Sequence, residues 1–98
     1  MVFIILRLTM IRIKLSEEIG SDLGQRYLIE EIFDDMDCNS QKVLFDFDGI
    51  EFISRSFAQE YLNRKMMADY EIGEVNIPCV VKKMFNVILK NNDYDSIY

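Results

Sequence analysis

The chain contains no histidine and no tryptophan, and its two cysteines, Cys38 and Cys79, lie far apart in sequence. Without an imidazole a Ser-His-Asp triad and a Cys-His dyad are excluded, and two scattered thiols exclude a zinc site of the usual kind. Two unlinked thiols and no secretory signature fit a reducing, cytoplasmic setting. Basic clusters are also missing: the 11 Lys and Arg face 17 Asp and Glu, no cluster exceeds a pair, and the net charge is −6. Nucleic-acid affinity comes largely from neutralising phosphates, and anionic membranes attract basic segments, so neither partner is expected. Long apolar runs are absent too. MVFIILRL is interrupted by Arg7 and Arg12 well short of the ~20 residues of a membrane span. It offers no small-residue cleavage site, so a strand is expected rather than a signal peptide.

What remains suits one globular domain over residues 1–98. Half of the residues are apolar, mean hydropathy is +0.02, and one proline with four glycines leaves no linker. In the first fifteen residues Arg7 and Thr9 are out of phase with Arg12 and Lys14, so a continuous strand would change faces near Met10. Residues 1–9 are then an N-terminal strand extension, either an extra strand of the same sheet or a homodimer edge through Val2 to Leu6. Residues 16–24 read as a loop. Leu28, Ile32 and Met36, four apart, predict a first helix from Asp22 or Leu23 to Met36, with Glu30, Glu31, Asp34 and Asp35 as a solvated face.

The middle of the chain carries the candidate site. Val43-Leu44-Phe45 is a buried-strand run; Asp46, Asp48 and Gly49 break it into a turn. Ser56 with Gln59 resembles a capping box, predicting a second helix from Phe57 to about Asp69, with Phe57, Tyr61, Leu62 and Met66 facing inward. Glu71-Ile72-Gly73 reads as a turn and residues 74–77 as an edge strand. Pro78 opens a third helix capped by Asn76 or Ile77, with Val81, Met84, Phe85, Ile88 and Leu89 as its core stripe. Residues 91–98 read as a polar tail. The order β-α-β-α-β-α predicts an α/β fold with a mostly parallel sheet, and sites at the C-terminal strand ends. Arg26 is expected to form an internal pair with Glu60.

Two resemblances follow. The segment from Asp46 to Ser56, DFDGIEFISRS, is similar to the D-h-S-G-V-x-h-h-D-S-S segment of STAS domains, the fold of sulfate transporters and anti-sigma antagonists. Gly20, Leu23, Gly24 and Arg26 before it, Phe57, Ala58 and Glu60 after it, and Asn76 later extend the likeness to a short STAS-like branch of mostly unassigned function. The resemblance implies a non-enzymatic regulatory module that binds a protein, a GHKL-type ATPase or kinase, through Asp48, Ser54, Arg55, Ser56 and Arg26. Arg55 stands at the position that antagonists phosphorylate, and Ser56 matches the second serine, which makes it the candidate phosphorylation site. No cofactor or metal is implied. The alternative is carried by VLFDFDG, which resembles the first motif of haloacid-dehalogenase phosphatases. It implies a Mg²⁺-dependent phosphohydrolase with Asp46 as nucleophile and Asp46 and Asp48 as metal ligands. Ile50 departs from that motif, which also begins late in the chain, and no clear acidic pair follows on a later strand.

Overall fold

The structure, a computed structural model, describes residues 10–36, 42–92 and 98. It is an α/β fold on a parallel three-stranded sheet. The elements follow as β1 (Met10–Lys14), α1 (Leu15–Glu18), β2 (Asp22–Leu23), α2 (Arg26–Asp35), β3 (Lys42–Asp46), β4 (Phe52–Ile53), α3 (Arg55–Met67), β5 (Glu71–Val75) and α4 (Cys79–Asn91). Sheet order is β1-β3-β5, with β3 central. Both crossovers step in the same direction, which places α2 and α3 on one face of the sheet. Register puts Val43 between Ile11 and Ile72, and Ile13 beside Phe45. Strand alternation turns this row toward the helices and the row of Arg12, Leu44 and Gly73 to the other face.

The core centres on one tyrosine. Tyr61 is fully buried on α3. It stacks on Phe85 of α4 at 5.4 Å and meets Phe45 and Phe47 edge-on at 5.2 and 5.8 Å. Ile29 and Phe33 anchor α2, and Val81, Phe85, Ile88 and Leu89 anchor α4. At ~1.5–3 kcal/mol for each fully buried large apolar side chain, this cluster is the main source of stability.

Several expectations are corrected. The first helix starts at Arg26, because Asp22–Leu23 are taken up as β2 by parallel pairing with β4. A two-residue strand leaves no periodicity to read. Part of the expected loop is the short α1, which buries Leu15. Glu71-Ile72-Gly73 is strand rather than turn, because β5 pairs along the whole of β3. Gly73 is useful there: a Cβ would come within 3.0 Å of Leu44 Cδ2. Met66 is exposed, so the inner stripe of α3 ends at Leu62. Tyr98, expected in a polar tail, packs on the body: its ring lies 4.8 Å from Phe85 and its backbone exchanges two hydrogen bonds with the Asn86 amide. The N-terminal strand, its dimer edge and Cys38 lie outside the described residues.

Candidate functional site

The short β2–β4 pair sets the geometry of the site. Its parallel strands lead directly into α2 and α3, so the two helices begin side by side at one end of the molecule. Between β3 and β4 the chain turns at Gly49, whose φ of +84° favours glycine. Glu51 N–H donates to Ser21 O at 2.8 Å and Ser54 N–H to Leu23 O at 3.0 Å, holding the loop against the preceding segment. Ile50 and Ile53 point into the core and act as pegs. Between them Glu51 and Phe52 are exposed, as are Asp48 and Gly49 before and Arg55 and Ser56 after. The result is a rigid rim with an accessible outer surface.

Ser54, not Ser56, caps α3. Ser54 has extended backbone, φ −80° and ψ 159°, and its Oγ accepts from Phe57 N–H at 3.1 Å. Pairing of β4 with β2 ends at Ile53, which leaves Ser54 at the junction. Ser56 lies one residue into the helix, exposed, its Oγ 3.2 Å from that of Ser54. The Ser56–Gln59 spacing was therefore a coincidental capping signature. Ser54→Ala is expected to cost about 1 kcal/mol, and Ser56→Ala close to nothing, by chemical denaturation.

Arg26 does not reach Glu60. It pairs with Glu30 on its own helix at 3.5 Å, while Glu60 accepts from Arg64 Nε at 2.8 Å. Glu60 is taken by Arg64 four residues on, and the ion pair that does cross between the helices is Arg64 with Asp34 at 2.9 Å, which leaves Arg26 to the partner on its own helix. Arg26 and Arg55 instead flank a groove of about 370 Å³, together with Ser56, Gln59, Asn63 and the Arg64-paired Glu60. Among the described residues Arg55 has no ion pair. Of the five residues expected at the site, Arg26, Arg55 and Ser56 converge on this groove. Ser54 is occupied as the cap, and Asp48 lies on the loop with Lys14 Nζ 3.9 Å away.

Asp46 has a different role. It is 5% exposed. Its Oδ2 accepts from Arg12 at 2.9 Å, and its Oδ1 accepts from Asp48 N–H at 2.9 Å and from Asn76 Nδ2 at 3.1 Å. The Arg12 hydrogen bond and then the Asp48 N–H outweigh burial and hold the carboxyl at about 2. Both oxygens are thus committed within the protein. Asp48 is turned to solvent, and no group of three His, Cys, Asp or Glu among the described residues could hold a metal ion. The pair does not fit Mg²⁺ in this arrangement, since a cation would have to displace Arg12 or Asn76 from Asp46. Asn76 is not a cap either. It adopts φ +55°, a left-handed conformation that asparagine tolerates, and uses its amide on Asp46 while Pro78 precedes α4.

Sequence reasoning missed Arg12 and Asn76 as partners of Asp46, since pairs 34 and 30 residues apart leave no local trace. It also missed Phe52, which is 48% exposed on the same rim, three residues before Arg55. The signal was there: strand alternation that sends Ile53 inward sends Phe52 outward. No helix among the described residues is long and apolar enough to cross a membrane. Compared with family models, with curated proteins and with solved structures, the chain gives no match.

Proposed function

We propose that the chain is a non-enzymatic regulatory module that docks another protein through the 48–56 rim and the start of α3, as its resemblance to STAS domains implies. The observation that supports it best is that one rim presents both Phe52, half exposed, and Arg55, which has no ion pair among the described residues. Aromatic and arginine side chains on a fixed backbone are the residue types that anchor protein interfaces. The Ile50 and Ile53 pegs and the Ser54 cap hold that backbone, so little ordering entropy is lost on docking. The engaged state of Asp46 makes it a structural acceptor in this reading rather than a nucleophile.

The partner class, a GHKL-type ATPase or kinase met in the cytoplasm, follows from the resemblance alone. Ser56 is the regulatory position in the same reading. A phosphoryl group there would add about −1.5 to −2 charge at the α3 N-terminus beside Arg55. That would convert a rim offering a free guanidinium into one whose guanidinium is already neutralised.

A photo-cross-linking side chain placed at Phe52 in the native host tests the reading, with the same probe at Glu31 on the acidic face of α2 as control. One discrete adduct from position 52 is expected, and Arg55→Glu should reduce it roughly tenfold with the thermal midpoint unchanged. No adduct at position 52, or the same adduct from both positions, would sink the docking rim.

A further inference from the structure

Charge is segregated on this molecule in a way the net value conceals. The chain carries −6 overall, yet α4 contains Lys82, Lys83 and Lys90 and no Asp or Glu. Every described Lys or Arg outside α4 forms an ion pair except Arg55. The three α4 lysines form none among the described residues. On the same helix Val80 and Val87 are 41% and 47% exposed. With Met84, which is half-buried against the core rather than fully within the stripe, they form a row at i, i+4 and i+7 along the exposed border of the core stripe of α4. Arg55, Val80, Lys83, Met84 and Val87 line one shallow groove of about 350 Å³.

We infer that this groove is an interaction surface for an acidic amphipathic helix of a partner protein, whose apolar side chains lie along Val80, Met84 and Val87 while its carboxylates meet Arg55 and Lys83. The row of apolar positions runs along the axis of α4 at helical spacing, which a second helix laid beside it matches. Complementary charge selects an acidic helix over a basic one, because the two cations on the groove have no described carboxylate of their own chain to satisfy them. An extended strand would leave its backbone groups unpaired here, since the groove is walled by helix rather than by a sheet edge. The surface shares Arg55 with the docking rim and otherwise stands apart from it, so it extends the proposed function to a second contact.

The test uses the whole chain, isotopically labelled, titrated with a synthetic helical peptide that carries leucines at i, i+4 and i+7 flanked by glutamates. A matched peptide with lysines in place of the glutamates is the control. Saturable amide shifts centred on Val80, Lys83 and Val87 are expected with the glutamate peptide only. Affinity should fall roughly tenfold in Lys83→Glu and also in Val87→Asp. It should also fall on moving from ~0.05 M to ~0.5 M salt. Both substitutions are at exposed positions, so unchanged thermal midpoints are the check on folding. Equal binding of the two peptides, shifts on another face, association with phosphatidylserine vesicles, or self-association that buries Val87 would each overturn the inference. Val87→Asp separates the two surfaces: it should weaken peptide binding while leaving the cross-linked adduct from position 52 intact. An intact rim adduct with no peptide binding would therefore sink this inference alone.

Discussion

Tyr61→Ala unfolds the domain or removes roughly 4 kcal/mol of its stability, the largest effect expected of any single truncation in the chain. The ring is fully buried and contacts aromatic side chains from α2, β3, the loop after it and α4. Removing it leaves a cavity bordered by Phe33, Phe45, Phe47 and Phe85, none of which can collapse inward without abandoning its own packing. The hydroxyl adds a smaller part. It donates to Glu74, which also accepts from Lys65 Nζ at 2.7 Å. Burial, and then the adjacent Glu74 carboxylate, push the phenol well above its usual value, so it stays protonated and remains a donor. Tyr61→Phe keeps the packing and leaves Glu74 with the lysine, so about 1 kcal/mol is expected. Urea denaturation of both variants checks this, with Val87→Ala on the exposed row as a near-neutral control. A loss below roughly 2 kcal/mol for Tyr61→Ala would mean that the core is not centred on this ring.

The alternation of strand and helix was legible because it rests on long apolar periodicities: β3, α2, α3 and α4 each span three turns or five strand residues with a buried stripe. The parallel sheet followed from that alternation. Features made by pairing between distant segments were not legible. The β2–β4 ladder involves only Asp22, Leu23, Phe52 and Ile53, yet it starts α2 at Arg26 and makes Ser54 the cap. At the candidate site the loop, its exposed outer face and Arg55 could be read locally. The partner of Arg26 could not, because the choice between Glu30 and Glu60 depends on where two helices sit. Asp46 was legible as a residue that opens the turn, where it accepts from Asp48 N–H, but its link to Arg12 and Asn76 depends on the sheet register. The α4 patch was visible as a run without acids and was overshadowed by the acidic total.

Asp46→Asn should cost about 2 kcal/mol at neutral pH, and that cost should vanish in acid. The folded carboxyl titrates at about 2 against 3.8 unfolded. A depressed folded value means the unfolded chain takes up the proton first, so stability from this group is complete above about pH 5 and drains away as pH falls through 4 toward 2. The size is held to about 2 kcal/mol because Arg12, the main partner, is half exposed and partly screened by water. Other carboxylates titrate over the same range, so the informative quantity is the gap between wild type and variant, measured by urea denaturation from pH 7 downward. The gap should narrow steadily below pH 4. The same substitution also weakens the tie between the end of β3 and Asn76, which sets the approach to α4. Amide exchange should therefore quicken at Asp48 and Asn76 before the core loosens. A gap that stays constant with pH would show that the Asp46 charge contributes nothing to holding the rim and the start of α4 together.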